Sequence, residues 1–293
     1  RDVAPSRGLG DVYKRQIDKR NAEGEALGWL NFNRALAKSD NVYFYEMGNR
    51  VGIENLDKYA AYFGIGEKTG INLPGEASGI MASPEYKRKV YDEDWYLGET
   101  FDAAIGQSFT LVTPLQMAVL LSEVANGGIK YKPYVVSRID NKDGTPKEIF
   151  GPDKLGILPV PKNIMDLIRE GLRDVTNEGG TAGDLFKGFP INVAGKTGTA
   201  ENAHGRDHGW FVAYAPYDKP QIVVVALVEQ GSFGAGSAGP IVRDVLAAYF
   251  NVPLNKKTND TNTKSNKDSA TVGNTPNGQE PQNAVTSGQP RKD

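Results

Sequence analysis

The sequence predicts an α+β fold: an antiparallel sheet flanked by helices, plus an all-helical part. Three observations carry this. The first half of the chain repeats apolar residues at helical spacing. Three strand-sized runs follow in series between 191 and 229, and the short turn joining the last two makes them antiparallel. An amphipathic run then closes the segment before the composition changes.

Size and composition set the frame. The chain has 293 residues, enough for one large domain or two modest ones. Its apolar content of 39% and charged content of 24% are ordinary for a globular protein. A net charge of −2 gives no general affinity for nucleic acid or acidic lipid. There is no cysteine, which excludes disulfides, thiolate metal sites and cysteine nucleophiles. No apolar run reaches the roughly 20 residues that span a bilayer. The best one, Ile222 to Val228, is strand-sized. No signal peptide is visible.

Residues 1–16, RDVAPSRGLGDVYKRQ, hold no sustained period and read as a non-native or disordered leader. Next, Leu56, Tyr59, Ala60 and Phe63 fall at helical spacing, and Gly64 supplies the stop. Residues 64–79 are rich in Gly and turn formers. Thr113-Pro114-Leu115-Gln116 opens a helix, with Thr as N-cap, Pro at the first position and Gln at the third. Asn126-Gly127-Gly128 ends it. Tyr134 to Ile139 and Glu148 to Phe150 predict a hairpin around an Asp-Gly turn. Ile164, Leu167, Ile168, Leu172 and Val175 mark a further helix, closed by Gly179-Gly180. The three strands are Ile191 to Ala194 running into Gly-Lys-Thr-Gly, Gly209 to Ala215, and Gln221 to Glu229. GSFGAGSAG, 231–239, reads as a loop into a last helix from Pro240 to Phe250. The polar stretch from 255 to 293 cannot bury enough surface to offset its ordering entropy. The organisation predicted is therefore a leader (1–16), a partial domain (17–250, helical to 130 and sheet-containing from 131) and a disordered tail (251–293).

Two segments carry candidate chemistry. Ser39-Asp40-Asn41 precedes a helix that begins near Val42, and alone it reads as an N-cap. Lys196-Thr197-Gly198-Thr199 sits on a strand edge. It is not a nucleotide P-loop, because position 190 is Pro where that pattern needs Gly, and strand follows it where a phosphate needs a helix N-terminus. The Gly lets a substrate backbone approach, while the hydroxyls and ammonium suit a carboxylate or an oxyanion. A second Lys-Thr-Gly, at 68–70, lies in a Gly-rich loop and reads as turn chemistry. His204 and His208 have a metal-ligand spacing, but the glycines beside them argue against a helix and no third ligand is evident. With no G-x-S-x-G elbow, a Ser-His-Asp triad lacks support. Tyr43, Phe44 and Tyr45 read as core packing.

Together these motifs resemble the transpeptidase domain of class B penicillin-binding proteins, the cell-wall D,D-transpeptidases. Ser39-Asp40-Asn41 is similar to that family's S-x-N motif and Lys196-Thr197-Gly198 to its K-T-G motif. The stretches FGIGEKTGINLPGE (63–76), AAIGQSFTLVTPLQMA (103–118), ANGG (125–128) and HGWFVAYAPYDKP (208–220) resemble the family too, so the similarity runs from about Glu25 to Phe250. The family's Ser-x-x-Lys, which carries the nucleophile and its activating Lys, is absent: no Ser in the chain has Lys three residues on. The economical reading is a chain truncated at its start, lacking the nucleophile, the first strands of the sheet, an upstream domain and a membrane anchor.

The resemblance implies a penicillin-binding/serine β-lactamase-like fold, acyl transfer between peptidoglycan stem peptides, and β-lactams as inhibitors. It implies an extracytoplasmic, anchored parent with cell-wall synthesis proteins as partners, and no nucleic acid, metal or cofactor. It assigns Ser39 a proton relay, Asn41 the substrate amide, and Lys196 the local positive potential and protonation of the leaving group. Thr197 and Thr199 take the terminal carboxylate, with Gly198 between them, and the Thr199 N–H one oxyanion contact. A serine β-lactamase, a β-lactam sensor and a non-catalytic scaffold of the same fold are the alternatives.

Overall fold

A computed structural model describes residues 27–202 and 204–253, and the backbone of Val3–Pro5. The rest of the predicted leader, and the tail from residue 254 on, lie outside the described residues. Val3–Pro5 (β1), within that leader, pairs antiparallel with Trp29–Asn31 (β2).

The helical part begins at once. Helix α1, Phe32–Lys38, is capped by the Asn31 side chain, which accepts from the Arg34 N–H at 2.9 Å. Helix α2, Asn41–Val51, follows after a two-residue turn, and α3, Ile53–Tyr62, after Gly52. Two further helices, α4 (Pro84–Tyr91) and α5 (Leu97–Ala104), lead to α6, Pro114–Ala125. The predicted capping box of α6 is present: Thr113 Oγ1 accepts from Gln116 N, and Gln116 Oε1 accepts from Thr113 N. Gln116 does more than cap. It is only 2% exposed, and its amide donates to the carbonyls of Glu67 (2.8 Å) and Ser78 (2.6 Å). It thereby pins the Gly-rich 64–79 loop, whose buried carbonyls need a donor. Within that loop Thr69 and Gly70 donate to the Glu76 carboxylate, so the second Lys-Thr-Gly lies in an irregular loop stretch tied to Glu76.

The hairpin is present but displaced. Arg138–Asp140 (β4) pairs with Pro146–Ile149 (β5), so the strand predicted from Tyr134 starts four residues later. Two strands were not foreseen, Ile129–Lys132 (β3) and Asp153–Ile157 (β6), which pair with each other. Both are short: β3 alternates over only four residues, and β6, Asp-Lys-Leu-Gly-Ile, does not alternate.

Helix α7, Lys162–Thr176, and the short α8, Gly183–Phe186, precede the main sheet. Its strands β7 (Ala194–Ala200), β8 (His208–Ala215) and β9 (Ile222–Val228) are antiparallel in the order β7-β8-β9. The central strand is buried on both faces. Phe211, Ala213 and Ala215 pack with Ala238, Val242 and Leu246 of the last helix. Val212 and Tyr214 pack the other way, with Leu121 of α6 and Met165 and Leu172 of α7. The strand order puts β7 at an edge of this sheet, and the period-two division of β8 leaves α6 and α7 covering one face.

The last helix, α9, runs Gly234–Tyr249, so most of the predicted GSFGAGSAG loop is helical. Close packing explains the composition. A Cβ at Gly234 would lie 2.1 Å from the Trp210 carbonyl oxygen and 2.3 Å from that of Gly198. The small residues let the helix start lie against β7 and β8. Propensity favours loop for such a stretch, and tertiary packing overrides it.

Candidate active site

The two predicted motifs meet. Ser39 and Lys196, 157 residues apart, are joined by a hydrogen bond from the Lys196 ammonium to Ser39 Oγ. Lys196 lies on β7, as the strand prediction requires.

The turn holding Ser39 divides its work among three adjacent residues. Ser39 closes α1 in the left-handed conformation, φ 53° and ψ 46°. The Asp40 N–H reaches back to the Ala35 carbonyl at 2.9 Å, a helix-ending pattern that usually favours Gly. Asp40, fully buried, is the N-cap of α2, and its Oδ1 accepts from the Tyr43 N–H at 2.7 Å. Asn41 is the first residue of α2. The helix-start reading holds for one residue of the triplet: Asp40 caps, and the Ser39 hydroxyl is left to accept from Lys196.

On β7 the Lys196 ammonium also donates to the Thr197 carbonyl at 2.8 Å. The Thr197 hydroxyl shares a 2.9 Å hydrogen bond with that of Thr181. Gly198 faces Trp210 on β8, and a Cβ there would come 3.1 Å from the Trp210 Cβ. The small residue at 198 therefore answers a neighbouring indole as well as any ligand. Thr199 accepts at its carbonyl from Gln107 Nε2, 3.4 Å away.

Burial governs the charges. Desolvation pushes the Lys196 ammonium down to about 8. Burial pushes the Tyr45 phenol up to about 12, helped by the Glu201 charge and opposed by a hydrogen bond from the Asn41 side chain. Tyr43 and Tyr45 are buried, as predicted for core aromatics, and Tyr45 packs against Phe101. Its hydroxyl nevertheless bonds the Asn41 side chain. His208 Nδ1 accepts from the Gln230 N–H at 3.0 Å, a backbone-supporting role. Among the described residues no three His, Cys, Asp or Glu side chains cluster as a metal site.

Sequence reasoning missed Thr181 and Gln107 as neighbours of the site. Thr181 carries no motif signal beyond its Gly-rich surroundings, and Gln107 follows α5 in a turn that no periodicity marks.

Comparison with known proteins places this arrangement. A model of the penicillin-binding protein transpeptidase domain matches residues 10–247. The chain is 32% identical over 246 residues to the peptidoglycan D,D-transpeptidase MrdA of Haemophilus influenzae, covering 78% of this chain and 37% of that protein. It is 34% identical over 236 residues to MrdA of Escherichia coli, covering 75% and 37%. The chain thus spans well under half the length of these relatives. Among solved structures it resembles Pseudomonas aeruginosa PBP2 in complex with WCK 5153, at 35% identity and TM-score 0.71 over 80% of this chain and 52% of that one. It also resembles Helicobacter pylori PBP2 in its complex with MreC, at 32% identity and TM-score 0.68 over 79% and 42%. A Ser on a left-handed turn, held by a Lys on a sheet edge, therefore sits in a chain that belongs to the class B penicillin-binding protein transpeptidase domain family.

Proposed function

We propose that the parent protein is a penicillin-binding D,D-transpeptidase that cross-links peptidoglycan stem peptides by acyl transfer. The observation that carries this is the hydrogen bond between the Lys196 ammonium and Ser39 Oγ. These 293 residues contain no Ser-x-x-Lys, so the reading assigns the nucleophile to a part of the parent outside them.

In that reaction a Ser oxygen attacks the carbonyl of the penultimate D-Ala. The C–N bond to the terminal D-Ala breaks, and an acyl-enzyme forms. An amine of a neighbouring stem then attacks the ester, the new amide forms, and the Ser oxygen leaves with a proton. Ser39 relays protons between the nucleophile and Lys196. An ammonium whose pKa burial has lowered to about 8 gives up its proton to a leaving amine more readily than an ordinary Lys. Asn41 holds the substrate amide. The hydroxyls of Thr197 and Thr199 hold the terminal carboxylate, beside Gly198, with the Thr181 hydroxyl orienting that of Thr197. The Thr199 N–H supplies one oxyanion donor, an interaction worth roughly 2.7–4 kcal/mol in such sites. β-Lactams enter as carboxylate-bearing acyl donors. The same reading puts the protein outside the cytoplasm, anchored to the membrane and working with cell-wall synthesis proteins. Among the described residues no helix is long and apolar enough to cross a membrane.

A fluorescent-penicillin gel tests the proposal. The full-length parent is expected to label covalently and to lose the label when unlabelled penicillin is added first. The 293-residue chain alone is expected to stay unlabelled. A parent that never labels, or a chain that labels without a Ser-x-x-Lys, overturns the assignment.

A further inference from the structure

We propose that Thr181 is a positioning residue, a clasp that fixes the spacing between the turn carrying Ser39 and the strand carrying Lys196. The inference deepens the functional reading above and takes from it that these two residues work as a proton-handling pair.

The geometry is a closed ring. The Thr181 N–H donates to the Ala37 carbonyl at 3.0 Å, two residues before Ser39. The Thr181 hydroxyl pairs with the Thr197 hydroxyl at 2.9 Å, one residue after Lys196. Lys196 in turn donates to the Thr197 carbonyl and to Ser39 Oγ. Starting from Ser39, the ring passes through Lys196, Thr197, Thr181 and Ala37 and returns along the chain. One residue therefore holds both sides of the Ser39–Lys196 contact, with its backbone on one side and its side chain on the other.

A clasp needs a rigid seat, and the seat is the end of α7. The Ala182 N–H donates to the Val175 carbonyl at 2.9 Å, and the Gly180 N–H to the Asn177 carbonyl at 2.9 Å. A Cβ at Gly180 would stand 2.2 Å from the Asp174 carbonyl oxygen, so only Gly folds the turn this tightly against the helix. Thr176 Oγ1 donates to the Val193 carbonyl at 2.6 Å, which ties the same helix end to the entry of β7. Ala182 is buried in the core beneath. The segment cannot drift, so the hydroxyl it presents sets where Thr197, and with it Lys196, sits. A Val at 181 keeps the bulk and the backbone bond but removes the hydroxyl, leaving Thr197 without that partner. The Thr197 side chain is then no longer tied to the turn that carries Ser39, the ring opens beside Lys196, and water reaches its ammonium.

Competitive acetylation of the 293-residue chain, read lysine by lysine by mass spectrometry as a function of pH, measures this directly. Exposed Lys58 serves as the internal reference. In Thr181→Val the labelling midpoint of Lys196 is expected to rise by about one pH unit, a fraction of the shift that full desolvation produces, while Lys58 stays put. Thr181→Ser, which keeps the hydroxyl, is expected to restore the wild-type midpoint. A residue that only added stability would leave the Lys196 midpoint unchanged in the folded variant. If Thr181→Val does not fold, Thr197→Val removes the same bond from the other side and must give the same rise. An unmoved midpoint in a folded variant of either kind overturns the clasp. The penicillin gel is separate. A moved midpoint with an unreactive parent removes the transpeptidase reading and keeps the clasp, and the converse result does the opposite.

Discussion

Burying the Lys196 ammonium has a thermodynamic consequence that can be measured without any catalysis. Its pKa falls to about 8 in the fold, against about 10.4 for an unfolded Lys. Between those values the unfolded chain binds the proton and the folded chain does not. Stability therefore rises with pH across that window and is flat below it. For pKa values of about 8 and 10.4, the gain between pH 7 and pH 9.5 is about 2 kcal/mol. The residue is only partly buried overall, so about 1–2 kcal/mol is the figure to test once solvent screening is allowed for. Lys196→Met removes the titration and keeps the length of the side chain. Urea unfolding of wild type and Lys196→Met at the two pH values, compared as a double difference, cancels every other titrating group. Wild type should gain about 1–2 kcal/mol on the variant as pH rises. At pH 7 the Met variant should be the more stable of the two, because burying the unpaired charge costs the wild type. Parallel pH profiles for the two proteins would refute the claim that the Lys196 ammonium is desolvated at the Ser39 contact.

Two further outcomes follow from buried carboxylates. Asp40→Ala removes the side-chain cap at the Tyr43 N–H and should lower unfolding stability by about 1–2 kcal/mol. Asp40→Asn should recover most of it, and an unchanged urea midpoint in the Ala variant would dismiss the capping role. Glu123 on α6 is 2% exposed, its Oε2 has no hydrogen-bond partner among the described residues, and burial pushes it up to about 7 against the opposing charge of Lys130. A raised carboxyl pKa means stability present below the unfolded value and lost as pH climbs to about 7. Glu123→Gln should flatten that loss, about 3 kcal/mol as an upper figure, in urea melts run from acid to neutral pH. A wild-type profile already flat over that range would show the carboxylate to be solvated.

Much of this was legible along the chain. The Thr113–Gln116 capping box, the glycine after α3 and the apolar face of α7 are encoded by neighbours within a few residues, and each appears where the pattern put it. The Ser39 and Lys196 motifs were readable as residue types in context. Elements whose partners are distant were not readable. The β3–β6 pair joins segments more than twenty residues apart, each too short for its pattern to stand out. The start of α9 lies so close to the carbonyls of Gly198 and Trp210 that position 234 has room for no Cβ, a contact no local pattern shows. In the Ser39-Asp40-Asn41 triplet, composition admits any member as the cap. Only the fold assigns that duty to Asp40 and gives the Ser39 hydroxyl to Lys196. Local propensity is a property of a few successive residues, so it can be read in one dimension. A hydrogen bond across 157 positions, and the Thr181 ring that spaces it, exist only once long-range packing has closed the chain on itself.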